Sequence, residues 1–402
     1  MQVPLAAIAS IAVATAMPTA AAADPAMTIR LDRVVEQAIA DKRIVGTVVV
    51  VVRDGKVIYH RAAGFADREM ARPMREDTIF RLASISKPIV SATFMRLVED
   101  KRVSLGDPVT KWLPDFRPRL PDSKAPVITL RQLLTHTSGL GYGFLEPGGG
   151  AYHRLNVSDG LDQPGLALDE NLRRLGRAPL AFRPGEGWRY SLGIDVLGAV
   201  IEKATGQSLP EAVKAAVTKP LGLRDTGFAA VDPSRLAVPY ADGKPEPVPM
   251  TDGLFVPLGE GGAWFAPSRA LDPTSYPSGG AGMVGTAGDI ARFLETIRTG
   301  GGRILAPGTV AAMMRDQVGP QAQTQGPGWG FGYGWAVLDD PTSAGTPQSA
   351  GTIQWGGAYG HSWFVDPARK LTVIALTNTA FEGMSGAFPF AIRDAVYGRG
   401  VE

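Results

Sequence analysis

Apolar residues recur with two different periods along the chain, and the change of period divides it. In "IRLDRVVEQAIADKR" (29–43), Leu31, Val34, Val35, Ala38 and Ile39 fall three or four apart, which predicts an amphipathic helix. In "TVVVVVRDGKVIYHRAAG" two apolar runs flank Asp54-Gly55, a hairpin signal. The unbroken valines predict a strand buried on both faces. Residues 84–101 predict a helix starting at Ser84. Pro88 is tolerable there because first-turn amides lack helical partners.

Strand signals thin out over 110–275, where short helices such as "LRQLLTH" and "GIDVLGAVIEKATG" alternate with Pro/Gly loops. They return in "GFGYGWAVLDD", "GTIQWGGAY", "HSWFVDP" and "LTVIALTN", before a last helix at 388–398. Strands at both ends and helices between predict an α+β fold. Its antiparallel sheet, flanked by helices, is built from 27–109 and 276–402, and 110–275 forms a mostly helical insertion. No internal repeat or low-complexity linker interrupts this plan.

Composition narrows the function classes. The 402 residues are 45% hydrophobic and 20% charged, as in a globular protein. With 41 basic against 39 acidic residues, the chain has no electrostatic footprint for nucleic acid or anionic membranes. The counts of 49 Gly and 32 Pro predict many turns and long loops. The apolar run "LAAIASIAVATAM" and Ala21-Ala22-Ala23 before Asp24 predict a signal peptide within residues 1–26, hence a periplasmic or secreted protein. The run is too short and Ala-rich for a membrane span, so no anchor is expected. Against export, "MQVP" carries no basic residue; the alternative is a start at Met27 and a cytoplasmic protein. The absence of cysteine fits both.

With no cysteine and four histidines, few residues are left to supply a nucleophile. Ser84-Ile85-Ser86-Lys87 is the one Ser-x-x-Lys in the chain. Three residues apart on a helix, the lysine ammonium can reach the serine hydroxyl, and the helix N-terminus adds positive potential. Alone, the pair also describes an ordinary helix cap beside a surface lysine. Tyr190-Ser191 follows "FRPGEGWR" at a loop-to-helix turn, where a tyrosine is more often a core residue. "QWGGAYGH" (354–361) is a strand whose two glycines permit close approach by a backbone or ligand, or simply bend the sheet.

Rival motifs are weaker. No Gly-x-Ser-x-Gly occurs: "NVSDG" lacks the first glycine and "GHSWF" the last. "GAGMVG" (280–285) matches Gly-x-Gly-x-x-Gly but follows "TSYPSG" rather than an apolar strand. His60, His136, His153 and His361 are widely spaced, so neither a metal nor another cofactor is expected. His361, six residues after Trp355, suits either a pocket wall or packing, and is counted with the substrate-binding residues.

Together, Ser84/Lys87, Tyr190-Ser191 and Trp355-Gly356-Gly357 occur in the order of the three motifs of the β-lactamase-like serine hydrolases. The chain resembles their family VIII carboxylesterases from about residue 30 to 398. "RPMREDT", "LLTHTSGLGY", "YPSGGAGM" and "NTAFEGMSG" extend the likeness beyond the motifs. The resemblance implies Ser84 as nucleophile, Lys87 as its partner and Tyr190 as general base. It implies the amides of Ser84 and Ala358 as oxyanion hole, and Trp355, Gly356, Gly357 and Tyr142 at the substrate. A free tyrosine ionises near pH 10, and a neighbouring lysine ammonium is expected to lower that value. Two positions depart from the lactamases: Leu192 replaces the asparagine of Tyr-x-Asn, and neutral Trp355 replaces the lysine of Lys-Thr-Gly. Both favour a small uncharged ester as substrate. The alternatives are a β-lactamase, a D-amino-acid peptidase or amide hydrolase, an acyltransferase, or a penicillin-binding sensor that acylates without turnover. Oligomeric state is not legible.

Overall fold

The computed structural model describes residues 24–322 and 324–399, so the expected signal segment up to residue 23 lies outside them. Helix α1 spans Pro25–Ala40. It starts earlier than its apolar pattern because Asp24 accepts the Ala26 amide at 3.0 Å and Pro25 suits the first helical position. Strands β1 (Gly46–Arg53) and β2 (Lys56–Asp67) form the predicted hairpin, edged by β3 (Arg72–Pro73). The valine run is buried on both faces. Val48, Val50 and Val52 enter a core with Ile89, Phe94 and Leu197, while Val49 and Val51 meet Leu31 and Val35 of α1 and Ile392.

β4 (Phe80–Arg81) leads into a 3₁₀ turn at Ala83–Ile85 and then α2 (Ser86–Glu99). The α-helix therefore starts two residues later than predicted. Ala83 holds a left-handed φ of 45°, which breaks helical continuity ahead of Ser84. The long middle of the chain carries the helices Leu130–Leu134, Leu168–Leu175 and Gly193–Thr205. It also carries two ribbons that the sequence pattern does not predict: β5 (Tyr240–Ala241) with β6 (Val248–Pro249), and β7 (Leu254–Leu258) with β8 (Gly261–Phe265). Pro257 and Gly261-Gly262 hide the second pair, but a two-stranded ribbon has free edges that accept proline.

β9 (Val284–Gly285) pairs with β4 and returns the chain beside the start of α2. The helix Ala287–Arg298 follows, then β10 (Trp329–Phe331), β11 (Ala336–Leu338), β12 (Ile353–Gly357), β13 (His361–Asp366), β14 (Leu371–Thr377) and the helix Ala387–Tyr397. The main sheet has eight antiparallel strands in the order β10-β11-β12-β13-β14-β1-β2-β3. The two chain ends meet at its centre, where Thr47 faces Thr377 and Arg53 faces Leu371. Helices cover both faces, an α+β architecture. Among the described residues, no helix is long and apolar enough to cross a membrane.

Gly64 marks where β2 turns under β1. Its φ is 74°, and a Cβ there would lie 2.3 Å from the Val45 carbonyl oxygen, which accepts the Phe65 amide. Gly64→Ala is therefore expected to cost about 1–3 kcal/mol of stability through backbone strain alone. Urea unfolding should show a lower midpoint with an unchanged slope, and activity per folded molecule should be retained.

Candidate active site

Three segments distant in sequence meet at Ser84. The 3₁₀ turn presents its hydroxyl, the first turn of α2 brings Lys87, and the loop ahead of Gly193–Thr205 brings Tyr190. Tyr190 Oη donates to Ser84 Oγ at 2.7 Å, and Lys87 Nζ lies 3.1 Å from the same oxygen. Lys87 is completely buried, and its Nζ donates to the Gly280 carbonyl at 2.8 Å. The turn itself is pinned by Ser86, whose hydroxyl donates to Ala83 at 2.6 Å and accepts the Met283 amide at 3.0 Å.

β12 closes the site from the opposite side. A Cβ at Gly357 would lie 2.4 Å from the Leu82 carbonyl, so only glycine lets the strand end approach the nucleophile turn so closely. That approach brings Ala358 and Ser84 into the wall of one cavity. Neither amide donates to another protein group among the described residues, as an oxyanion hole requires. Trp355 projects toward Tyr190, with its indole N–H 3.3 Å from the phenol oxygen. Its ring lies 5.2 Å from that of Tyr190.

Tyr190 sits in an aromatic box. Tyr142 lies 5.0 Å away between ring centroids and His136 4.9 Å away, while Tyr142 in turn stacks on Phe144 at 4.6 Å. His136 Nδ1 pairs with Ser191 Oγ at 3.0 Å, fixing the residue after the tyrosine. Lys87 Nζ lies over the faces of Tyr190 and Tyr142, 4.5 and 5.1 Å from their centroids.

This burial sets the ionisation. Loss of water lowers the Lys87 pKa to about 7, opposed by the charges of Asp195 and Asp159. Burial likewise pushes Tyr190 above the ordinary phenol range, against the bonds from Ser84 and Trp355. The expected lysine-lowered phenol is therefore not what this environment produces: the ammonium lies over the ring rather than in line with the hydroxyl. With Tyr190 even at its ordinary 10.0 and Lys87 at about 7, moving a proton from phenol to amine costs ~4 kcal/mol. Burial thus works against both charged forms, the Lys87 ammonium and the Tyr190 phenolate.

The cavity beside Ser84, about 360 Å³, is lined by Tyr142, Phe144, Leu161, Tyr190, Trp355, Gly356, Ala358 and Phe381 among others. Gly357 and His361 do not line it. Gly357 is occupied by its contact with Leu82, and His361 is buried, with Nε2 2.7 Å from the Arg81 carbonyl and its ring edge-on to Phe80. His361 thus packs beneath the turn rather than facing a substrate, held there by the Arg81 carbonyl and the Phe80 ring.

Two carboxylates, Asp195 buried and Asp159 half-buried, carry no motif that would single them out in the sequence. Asp195 lies on the helix after Tyr190, accepts the Ser278 hydroxyl at 2.6 Å, and is shifted upward by burial. Asp159 lines the cavity, accepts the Gly143 and Phe144 amides at 2.7 and 2.9 Å, and is pushed up to about 8 by burial. Their only sequence signal is a lone acid inside an apolar or loop stretch. Among the described residues no cluster of His, Cys, Asp and Glu could hold a metal ion.

The chain is 59% identical over 387 residues to Esterase EstB of Burkholderia gladioli, covering 95% of this chain and 98% of that protein. The solved structure of EstCE1, described as a hydrolase with promiscuous acyltransferase activity, superposes with a TM-score of 0.91 at 52% identity, covering 94% of this chain and all of that one. Simvastatin synthase from Aspergillus terreus, unliganded, shares the fold at a TM-score of 0.73 and 22% identity, covering 94% of this chain and 99% of its own. The Beta-lactamase family matches residues 31–396, and with the EstB likeness this establishes that the chain belongs to the beta-lactamase family.

Proposed function

We propose that the protein is a serine carboxylesterase that cleaves short-chain acyl esters through an acyl-enzyme on Ser84. The observation that carries this reading is the Ser84 hydroxyl bonded at once to Tyr190 and to a fully buried Lys87. The names of EstB and EstCE1 support it.

With Lys87 as the free amine, the contacts would form one wire: Tyr190 O–H to Ser84 Oγ, Ser84 O–H to Lys87 Nζ, and Lys87 N–H to the Gly280 carbonyl. As Ser84 Oγ attacks the ester carbonyl, its proton passes to Lys87 Nζ. The developing oxyanion receives the Ser84 and Ala358 amides. Tyr190 then gives its proton to the departing alkoxide and is reprotonated from Lys87, which completes a balanced exchange. Water repeats the sequence on the acyl-enzyme and frees Ser84. Lys87 thus takes the role of base, with Tyr190 as the acid. An alcohol can replace water in the second half; the mainly apolar cavity favours that acyl transfer as a side reaction.

Selectivity follows from what the cavity lacks. Leu192 is fully buried and offers no amide to an acylamino group. Trp355 spends its N–H on Tyr190 and offers apolar surface. A lactam carboxylate would forgo a charge-assisted bond worth about 1.5–3 kcal/mol.

Ser84→Ala is expected to abolish hydrolysis of p-nitrophenyl esters while melting stays near wild type. Intact-mass analysis after a fluorophosphonate should show one adduct, at Ser84; an adduct on another serine would refute the assignment.

The pH profile discriminates between the two bases. With Lys87 as acceptor, kcat/KM should fall about tenfold per pH unit below ~7, where the amine is protonated, and level off above it. Tyr190→Phe should lower kcat by about 10²-fold or more yet keep that limb. Loss of that limb in Tyr190→Phe would return the role of base to a Tyr190 phenolate.

For wild type, p-nitrophenyl acetate or butyrate should exceed nitrocefin in kcat/KM by about 10²-fold or more, each tenfold equalling ~1.4 kcal/mol. Trp355→Lys should narrow that ratio. Preference for nitrocefin in the wild type, or an unchanged ratio in the variant, would count against the reading.

A further inference from the structure

Behind the nucleophile turn lies a second, much smaller cavity of about 20 Å³, lined by Arg81, Arg269 and Tyr359 together with apolar residues. It is separate from the catalytic cavity, though Leu161 and Ala281 stand in both walls. Arg269 and Tyr359 are buried and Arg81 is half-buried. Among the described residues, every bond these two guanidiniums make goes to a backbone carbonyl. Arg81 donates to Pro267 at 2.9 Å and Ala237 at 2.8 Å; Arg269 donates to Asp162 at 2.8 Å, Gln163 at 3.1 Å and Tyr276 at 2.9 Å. These five bonds occupy half of the ten guanidinium N–H donors and leave two like charges without an ion-pair partner in a poorly hydrated place, an arrangement that is costly without a counter-charge. Asp252 is close enough to act on Arg81, but among the described residues neither it nor Asp162 forms an ion pair with either guanidinium; Asp162 receives the Ser158 hydroxyl, and Asp252 the Ser268 amide and hydroxyl. Both cations also act on the Tyr359 phenol, drawing its pKa down against burial, which pushes it up to about 12. That phenol O–H is a third donor at the same cavity.

We propose that this cavity binds one small monovalent anion of chloride size, held by Arg81, Arg269 and the Tyr359 hydroxyl. The volume admits a single water-sized occupant, which excludes acetate, sulfate and phosphate. The anion would neutralise the cation pair directly behind the active site. Arg81 belongs to β4, its carbonyl meets His361, and the next residue, Leu82, donates to Met283 at 2.8 Å. The site therefore braces the strand pair from which the Ser84 turn springs, whatever ester that turn cleaves.

Two measurements test it. In crystals soaked in sodium bromide, the wild-type protein should show an anomalous peak between Arg81, Arg269 and Tyr359. In solution, replacing sodium gluconate by sodium chloride at constant ionic strength should raise Tm by roughly 2 °C or more, saturating with concentration. The rise should be absent in Arg269→Gln and shifted to higher chloride in Tyr359→Phe, which keeps the fold if the arginine variant does not. A water without anomalous signal in the cavity refutes the proposal. So does a bromide peak with no saturable chloride response, since that is binding at crystal concentration only.

Discussion

Lys87 has no exposed surface, yet it must keep a nitrogen within reach of Ser84, and most of the site is arranged around that requirement. Its Nζ is bonded to the Gly280 carbonyl and overlain by the rings of Tyr142 and Tyr190, so the amine is solvated by one dipole and two π faces in place of water. A side chain at Gly280 would collide with Asp195 Oδ2 at 2.5 Å and Tyr142 Oη at 2.8 Å. The backbone there can approach only as glycine, and that approach ties α2, the loop before β9 and the helix Gly193–Thr205 into one unit. Taking the lysine out of water also lowers its pKa to about 7, because burial penalises the ammonium.

The same constraint explains why the nucleophile turn is strained. Ala83 adopts a left-handed φ of 45° with a buried side chain, an uncommon state for a residue other than glycine. It persists because the turn is held from three directions: Ser86 bonds to Ala83 and Met283, Leu82 bonds to Met283, and Gly357 of β12 presses on the Leu82 carbonyl. The sheet supplies the last of these. Since β14 pairs with β1, the C-terminal strands are locked to the N-terminal hairpin, and the end of β12 is delivered to Ser84 without a mobile loop.

Much of this was legible in the linear chain, for identifiable reasons. The valine run of β1 alternates between two cores, and no other element tolerates that pattern so well. Ser84 and Lys87 carry their own spacing, and Gly356-Gly357 announce a close approach. What escaped was whatever depends on long-range burial. The sign of the Lys87 and Tyr190 shifts follows from the shell around them, contributed by residues 136–144, 195 and 278–283. His361 was ambiguous because a strand neighbour of the cavity and a strand neighbour of the core look alike in sequence. The ribbons β5–β6 and β7–β8 are too short and too rich in Gly and Pro to declare themselves.

Reaction and selectivity thus rest on different kinds of structure. The proton wire is buried and fixed by backbone contacts, so its chemistry would suit any acyl group that can reach Ser84. Choice among acyl groups falls to the cavity wall, and there the charges are muted. Trp355 is neutral and committed to Tyr190, and Asp159, pushed up to about 8, carries little charge at neutral pH. The one arginine in that wall, Arg393, is already paired with Asp394 at 2.9 Å, so an entering carboxylate or amine is desolvated without a ready counter-charge. An uncharged ester loses nothing on entering. On the proposed reading, selectivity for esters would arise less from attraction to the ester itself than from the cost imposed on charged competitors.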